Sequence, residues 1–357
     1  MGTPQSTTLK KTMDREDVMK KVVFHDRGDG PPLVGHAVPT YKVDGLRDDE
    51  WQELRKGSLG CSEAAAVAGL NKYRSPLDVY MQKCGLIDGF RGSLATRMGT
   101  AMEPFIAKEF YRETGLEVHR ILWNMAHPDE PRFTATLDGV CYNGKTGQWA
   151  VVELKNPGWR QKSEWVEAVE TGRPRPGSTI ESYFYQTIGQ MSVTGLDLGY
   201  LVGLVDKSLY VVTIDRDAGL DELCSWIPMQ VGAFWRNHVD RQNPPDPDHR
   251  DIRTLDILYS SPDMGLELED ADLAGQVTRL REIRAETGQL KDEADEIVAK
   301  LKGRMGDAVK LLLGEDVKPV RWSPASVTRF NSSEFKKAHP KLYGEFLSSS
   351  VSRRFTY

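Results

Sequence analysis

The segment between Arg132 and Lys155 constrains the fold of this chain more than any other. Two strand-like runs, Arg132–Tyr142 and Gln148–Lys155, flank the segment Asn143–Gly147. An Asn-Gly pair readily adopts the positive φ that a tight turn requires, so this pattern predicts an antiparallel hairpin. The second run is apolar at consecutive positions, which is typical of a strand buried on both faces.

Charged side chains in that second run predict a chemical site. Glu153 and Lys155 are two residues apart, so on a strand they point to the same face, and a well-registered hairpin brings Asp138 alongside them. Buried carboxylates are costly unless they are paired or bind a metal. Two carboxylates beside an ammonium group therefore indicate a divalent-metal site with a charged group next to the metal-bound water. A strand whose charges face solvent is the alternative interpretation.

Glu103 is the third acidic residue of interest. It lies in a predicted helix, Thr96–Thr114, whose apolar residues follow helical spacing and which Gly115 ends. The small residues Gly99 and Ala101 would allow another backbone to approach that helix closely. Taken singly, a glutamate on a helix is more often a solvated surface charge.

The remaining pattern predicts helices on both sides of the hairpin and two further strands. Capping residues, apolar spacing and helix breakers place the helices at Asp48–Arg55, Ser62–Ala68, Ser75–Met81 and Ser182–Thr194, and the strands at Gly199–Val205 and Leu209–Ile214. Helices, a hairpin, another helix and two more strands predict an α/β (α+β) core with a mixed sheet.

Composition excludes several classes of protein. The chain has 357 residues, 39% of them hydrophobic, and a formal net charge of −5, which is typical of a soluble globular protein and not of a generally basic nucleic-acid coat. A local basic channel is compatible with that charge. We find no run of about 18 apolar residues and no charged-then-apolar leader, so we expect a cytoplasmic protein without a membrane span.

The cysteines and histidines predict neither a zinc site nor a disulfide framework. The seven histidines form no spaced ligand cluster. The four cysteines are scattered without metal-ligand spacing, at Cys61, Cys84, Cys141 and Cys224. This spacing also argues against a cysteine-held iron–sulfur cluster.

We expect three segments: a flexible N-terminal arm over residues 1–45, a core over 46–255 and a helical C-terminal extension over 256–357. Within the extension, the long helix or helix pair predicted from about Asp270 to Leu313 has one apolar seam, which packs on its own domain or pairs as a coiled coil. The tail interleaves basic and aromatic residues that contact DNA or form a solvated face, namely Lys318, Arg321, Trp322, Arg329, Phe330, Phe335, Lys336, Lys337, Arg353, Arg354 and Phe355.

Five motifs in order resemble the PD-(D/E)XK nucleases, and more specifically the phage lambda-type alkaline exonucleases and the related YqaJ viral recombinases. The resemblance runs from about Trp51 to Leu204, and its motifs are Trp51–Gly57 with Ser62 and Glu63, Gly99–Glu103, Leu137–Gly139, Glu153–Pro157, and Tyr183–Gln186 with Met191. One such motif is weak, but five in order are specific. The resemblance implies a PD-(D/E)XK nuclease core, in which helices flank a mixed central β-sheet.

The resemblance also implies roles for the acidic cluster. Asp138 and Glu153, with the Leu154 carbonyl, would hold one Mg²⁺ or Mn²⁺, and Glu103 would help with a second ion. Lys155 would orient or deprotonate the attacking water and stabilise charge on the phosphate.

Three further residues match positions of the family. Gln186 would support the metal site through its side chain or a bound water. Arg55 and Ser62 would grip a terminal 5′-phosphate, for which a guanidinium fork is well suited. Without the resemblance, Arg55 is an exposed helix residue and Ser62 a helix cap.

The implied activity is a metal-dependent exodeoxyribonuclease that degrades linear double-stranded DNA from its ends, 5′ to 3′, and leaves single strands for phage-type recombination by strand annealing. The implied partners are DNA ends, a single-strand annealing protein of the RecT/Beta type and further copies of the chain in a trimer. A Cas4/RecB-like nuclease and a non-catalytic DNA-end-binding protein are the alternatives. No Walker phosphate loop occurs, so we expect no ATP-driven translocation.

Overall fold

A computed structural model describes residues 22–23, 32–87, 92–260, 267–314, 317–348 and 353–357. The chain forms two compact units, Met1–Leu255 and Asp256–Tyr357. Most of the predicted N-terminal arm, residues 1–21 and 24–31, lies outside the described residues.

Among the described residues, ten strands and seven α-helices lie in the first unit, and an eighth α-helix begins in it and ends in the second. The strands are β1 (Val22–Val23), β2 (Leu33–Val34), β3 (Val38–Lys42), β4 (Leu59–Gly60), β5 (Trp123–Ala126), β6 (Phe133–Thr136), β7 (Gly139–Asn143), β8 (Gln148–Lys155), β9 (Leu198–Val205) and β10 (Ser208–Asp215). The helices are α1 (Asp48–Lys56), α2 (Cys61–Val67), α3 (Pro76–Lys83), α4 (Leu94–Thr114), α5 (Lys162–Thr171), α6 (Thr179–Thr194), α7 (Ala218–Phe234) and α8 (Ile252–Leu258).

The central sheet is mixed, with the strand order β10-β9-β8-β7. β7 and β8 pair antiparallel as the predicted hairpin, β8 and β9 pair parallel, and β9 and β10 pair antiparallel. The parallel pair requires a crossover, which contains α5 and α6. A second sheet has the order β3-β5-β6-β4.

Helices cover both faces of the central sheet, which confirms the predicted arrangement. On one face, Ile106 and Phe110 of α4 pack against alternate residues of β8, including Val152 and Leu154. On the other face lies α6, where Met191 is close to Gly199 of β9. Because strand residues alternate between faces, the odd-numbered residues of β8 point towards α6.

The strand predicted over Arg132–Tyr142 is two strands that belong to different sheets. β6 pairs with β4 and β5, whereas β7 pairs with β8. The break falls at Leu137 and Asp138, so Asp138 lies between the strands and not within one. A run of β-branched and aromatic residues does not indicate that the pairing partner changes along it, which is why the sequence predicts a single strand.

The hairpin turn forms where predicted, but the positive φ lies at a different residue. The positive φ, +71°, is found at Gly147, whose N–H donates to the Asn143 carbonyl. The Asn143 side chain accepts hydrogen bonds from the backbone N–H groups of Lys145 and Thr146. Asn143 therefore acts through its side-chain oxygen, as asparagine does in many turns, and not by adopting a left-handed conformation.

The expectation of a flexible arm is wrong for the part of it that the structure describes after residue 32. β3 pairs antiparallel with β5, Val34 is fully buried, and the His36 N–H donates to the Thr194 carbonyl at 2.9 Å. Gly and Pro at residues 28–32 obscured these short strands, because such breakers mark a loop and carry no information about the segment after it.

The predicted helices agree with the structure to within a few residues. Ser75 caps α3 and Ser93 caps α4, and Gly115 ends α4 with φ +75°. Up to residue 260, sequence reasoning missed three helices, α5, α7 and α8, and the short strands β1 to β5. Residues 243–249 form neither helix nor strand.

The second unit contains the long helix α9 (Ala274–Met305), the strands β11 (Lys310–Leu311) and β12 (Val320–Arg321), and the helices α10 (Ser332–Ala338) and α11 (Pro340–Glu345). α9 ends at Gly306 with φ +51°, so the predicted end at Leu313 is too late. The apolar seam of α9 is exposed, with 43% exposure at Ile283 and 65% at Leu290. Packing of this seam on its own domain, the favoured expectation, is therefore not observed among the described residues.

Among the helices that the structure describes, none is long and apolar enough to cross a membrane.

Candidate active site

Glu153 is the centre of the candidate site, and it is only 1% exposed. One of its oxygens, Oε1, accepts a hydrogen bond from Gln186 Nε2 at 2.6 Å and forms an ion pair with Lys155 Nζ. The other, Oε2, accepts from Gln190 Nε2 at 2.6 Å. A buried carboxylate thus has a donor on each oxygen, which offsets the cost of removing it from water.

Local structure explains how these groups meet. Glu153 and Lys155 are odd-numbered residues of β8 and face α6, as the strand alternation predicts. Gln186 and Gln190 are four residues apart on α6, so they lie on one side of that helix.

Gln190 is the residue that sequence reasoning missed. It is fully buried, and its Oε1 has no hydrogen-bond partner within the described part of the chain. The i, i+4 spacing from Gln186 is the signal that would have found it.

Asp138 lies at the break between β6 and β7, and its Oδ2 accepts a hydrogen bond from the Leu154 N–H at 2.8 Å. Burial raises the pKa of the Asp138 carboxyl well above its usual range, and the negative charge of Glu153 raises it further. Lys155 opposes this shift. The hairpin therefore brings Asp138, Glu153 and Lys155 into one electrostatic cluster, as the register argument predicts.

Lys155 is the cation of this cluster. Its Nζ lies 5.3 Å from the centre of the Tyr183 ring. Burial alone would lower the pKa of its ammonium group, but the carboxylates of Glu153 and Asp138 outweigh that effect and the pKa is raised. The side chain is therefore a fixed positive charge at neutral pH, which suits charge stabilisation better than proton abstraction.

Glu103 approaches from the opposite face of the sheet, on α4. Burial raises the pKa of its carboxyl, while Lys155 and Arg120 lower it and Glu153 raises it. These mutual effects place Glu103 within electrostatic range of the cluster, although no direct contact joins it to Asp138 or Glu153.

The donor chemistry of the cluster fits a hard divalent cation. Among the residues that the structure describes, no group of three His, Cys, Asp or Glu side chains is arranged to hold a metal ion. A shared three-carboxylate ligand set of Glu103, Asp138 and Glu153 therefore stays a prediction, as does the Leu154 carbonyl. Mg²⁺ keeps several of its waters and commonly uses only one or two protein carboxylates, which Asp138 and Glu153 supply.

A second charged cluster surrounds Glu63, which is 1% exposed. Its Oε2 lies 3.2 Å from Arg55 Nη2 and 2.9 Å from Lys83 Nζ, and its Oε1 lies 3.5 Å from Arg74 Nη1. Arg55 Nη2 is also 3.4 Å from Ser62 Oγ, so α1 and α2 bring together the two residues to which the family resemblance gives a role in binding a 5′-phosphate. Their role in binding it stays a prediction.

The charges of this second cluster are strongly coupled. Burial would raise the pKa of the Glu63 carboxyl, but Arg55, Lys83 and Arg74 lower it to about 2. Burial lowers the pKa of Lys83 to about 8, although Glu63 opposes that shift. One carboxylate thus neutralises only part of the charge of three cations. Sequence reasoning quoted Glu63 only as part of a motif, because Arg74 and Lys83 are distant in the chain.

The chain is similar to known proteins over part of its length. Residues 50–197 match the YqaJ-like viral recombinase domain. The uncharacterized protein YqaJ of Bacillus subtilis (strain 168) is 24% identical over 314 residues, which are 86% of this chain and 93% of that protein.

Two solved structures are also similar. An alkaline exonuclease from Laribacter hongkongensis, LHK-Exo, is 24% identical, covers 55% of this chain and 94% of its own, and has a TM-score of 0.42. A phage related exonuclease from Haemophilus somnus 129PT is 15% identical, with coverage of 54% and 99% and a TM-score of 0.39. The match of residues 50–197 to the family model confirms the resemblance to the YqaJ-like viral recombinases that the sequence motifs predict.

Proposed function

We propose that this chain is a Mg²⁺- or Mn²⁺-dependent exodeoxyribonuclease that degrades linear double-stranded DNA from its ends, 5′ to 3′. The YqaJ-like domain supports this proposal. The observation that carries it is the convergence of Asp138, Glu153 and Lys155 at the end of β8, two carboxylates beside one ammonium group.

The chemistry of phosphodiester hydrolysis explains why these groups suit the task. Asp138, Glu153 and the Leu154 carbonyl would hold one cation, and Glu103 would help with a second. A bound divalent cation supplies a water that is ionised near neutral pH and offsets charge on the phosphate. Lys155, a fixed positive charge, orients the attacking water and stabilises the negative charge that develops. Gln186 and its neighbour Gln190 fix the Glu153 carboxylate, so its orientation needs no reorganisation during the reaction.

The Glu63 cluster supports the choice of DNA end. Its excess of positive charge, together with the Ser62 hydroxyl, suits a terminal 5′-phosphate, whose oxygens accept charge-assisted hydrogen bonds. Arg55 supplies a guanidinium fork for that group. An enzyme that holds the 5′-phosphate of the strand it cuts moves in the 5′ to 3′ direction.

Activity is tested with linear duplex DNA in Mg²⁺, in Mn²⁺ and with a chelator. We expect digestion only with the metals, and a loss of at least about a hundredfold in rate for Glu153→Gln and for Lys155→Met. The exposed Glu170→Gln on α5 is the matched control, and circular dichroism shows whether each variant is folded. Full activity in either site variant, or no digestion by the wild type with both metals, contradicts the proposal.

Polarity is tested separately with duplexes labelled on one strand at the 5′ or the 3′ end. Cleavage 5′ to 3′ releases the 5′ label first as a mononucleotide, while the 3′ label stays in long fragments. Closed circular duplex is the control for a requirement for ends. Early release of the 3′ label would reverse the proposed polarity and leave the nuclease activity standing.

The proposed role in the cell is to expose single strands for recombination by annealing. The partner would be a single-strand annealing protein of the RecT/Beta type, and the assembly a trimer. Light scattering of the purified chain measures the number of copies, and co-purification with a purified annealing protein tests the partnership.

A second candidate is a DNA-end-binding protein without catalysis. One observation favours it: both oxygens of Glu153 already accept hydrogen bonds, and the described residues hold no preformed group of three metal-binding side chains. Tight binding of duplex ends that neither Mg²⁺ nor Mn²⁺ converts to cleavage would favour this candidate over the nuclease.

A further inference from the structure

A cleft of about 500 Å³ lies beside the candidate active site and belongs to neither charged cluster. Trp159 and Tyr73 line it, and they are 67% and 68% exposed. Large aromatic side chains that stay exposed together at a concave surface mark a place where another molecule binds, because burying them there is favourable.

The cleft is connected to Lys155 by direct contacts. Trp159 is four residues after Lys155, just beyond the end of β8. The Tyr183 ring lies against Lys155. Burial raises the pKa of the Tyr183 hydroxyl, and the side chain of Gln161, which lines the cleft, is close enough to that hydroxyl to lower its pKa. A molecule in this cleft is therefore next to the group that would act on the scissile phosphate.

Two polar groups narrow the chemistry of that molecule. Gln161 Oε1 is buried, and no donor contacts it within the described residues, so it is an acceptor without a partner. Glu164 also lines the cleft, and one of its oxygens accepts the Thr179 N–H at 2.9 Å. The negative charge of Glu164 disfavours a phosphate inside the cleft. A flat, uncharged group with an N–H donor fits best.

A cationic side chain lies near each of the two aromatic rings. The Arg160 guanidinium carbon lies 5.6 Å from the Trp159 ring centre, and Lys72 Nζ lies 5.8 Å from that of Tyr73. Side chains of this kind neutralise the phosphates on either side of a base that stacks on an aromatic surface.

We propose that this cleft binds an unpaired nucleobase of the DNA, next to the phosphate that is cut. The base stacks between or against the rings of Trp159 and Tyr73. The base donates a hydrogen bond to Gln161 Oε1. All four DNA bases have a suitable N–H group, so the site is tolerant of sequence. This inference rests on the proposed function and adds where the base next to the reacting phosphate is held.

The test combines removal of the ring from the protein with removal of the base from the DNA. Duplexes carry a single abasic residue at each of the terminal nucleotides in turn, and binding is measured by fluorescence anisotropy in Ca²⁺. At one position we expect base removal to weaken binding to the wild type about tenfold. In Trp159→Ala the same removal should change binding less than twofold, while Trp159→Phe keeps most of the effect.

Tyr73 lies in a different segment from Trp159, and Tyr73→Ala must also reduce the effect of base removal. This second variant distinguishes loss of the binding surface from a folding defect of a single variant. Tyr111→Ala, an exposed tyrosine of α4, is the control and must keep the wild-type response. The inference is overturned if base removal weakens wild-type and Trp159→Ala binding equally, if it weakens neither, or if the wild type does not bind duplex DNA. Because the assay measures binding, base-dependent binding without any cleavage in Mg²⁺ would uphold this inference and refute the proposed nuclease.

Discussion

The two charged clusters of the first unit are built from the same chemical groups in inverse proportion. In the β8 cluster, the carboxylates of Asp138 and Glu153 lie with one cation, Lys155, and Glu103 acts on them within electrostatic range. In the Glu63 cluster, three cations surround one carboxylate. Each has a buried glutamate at its centre that is 1% exposed.

This inversion of charge determines what each cluster can attract. The pKa values of Asp138 and Glu103 are raised, because burial and mutual repulsion disfavour their charged forms, so an added cation relieves the cluster. The three cations around Glu63 lower its pKa to about 2, and because they outnumber the single carboxylate, an added anion is favoured there. A metal cation complements the acidic β8 cluster and a phosphate complements the basic Glu63 cluster. A DNA end with its bound cations supplies both groups.

The largest expected effect concerns the buried glutamate of the basic cluster. The folded pKa of Glu63 is about 2, below its ordinary value of 4.5, so its charge contributes stability that is fully present above about pH 4.5 and is lost as the pH falls through 2. The shift corresponds to about 3 kcal/mol. Glu63→Gln should therefore be less stable than the wild type by that order at pH 7, and the two should converge towards pH 2.

Urea denaturation at a series of pH values measures this difference. Glu170→Gln, exposed on α5, is the control and should follow the wild type at every pH. Parallel curves for Glu63→Gln and the wild type between pH 5 and pH 2 would mean that Glu63 does not hold its charge against three cations.

The next effect concerns selection of the DNA end. Arg55→Ala should reduce the preference for 5′-phosphate over 5′-hydroxyl ends by about tenfold or more, because a charge-assisted hydrogen bond is lost, while digestion of 5′-hydroxyl ends changes little. Initial rates on the two duplexes provide the ratio. Lys56→Ala is the matched control, since Lys56 neighbours Arg55 on α1 and pairs with Glu53 at 2.6 Å. An unchanged ratio in Arg55→Ala would remove the basic cluster from end recognition.

The smallest effect concerns the acidic cluster. Gln190→Ala removes the donor to Glu153 Oε2, and the Mg²⁺ concentration for half-maximal rate should rise about tenfold, because groups that orient a metal ligand tune its affinity. Titration of Mg²⁺ at saturating DNA measures it, with the exposed Gln289→Ala as control. A lower maximal rate with an unchanged Mg²⁺ requirement would show that Gln190 acts other than through the metal site.

The parts of the site that depend on local periodicity are predictable from the sequence. Glu153 and Lys155 share a face because strands alternate, and the hairpin turn fixes the register that brings Asp138 near them. The helices bounded by Ser75, Ser93 and Gly115 are predictable from capping chemistry in the same way.

Contacts between distant segments were not predictable. Lys83 reaches Glu63 from a separate helix, and Arg74 reaches it from the segment before that helix, so no spacing rule relates the three. The break at Asp138 depends on which strand each half of the run pairs with, and Ile283 and Leu290 show that an apolar seam does not reveal what covers it.

The parallel pairing of β8 with β9 affects the order in which the site forms during folding. Glu153 precedes the crossover and the two glutamines that hold it lie within that crossover, so the carboxylate obtains its partners only after a long loop has closed. Such distant pairings form slowly in folding, because the chain loses entropy before the contacts compensate. Assembly of the acidic centre therefore requires the crossover helix α6 to pack against β8.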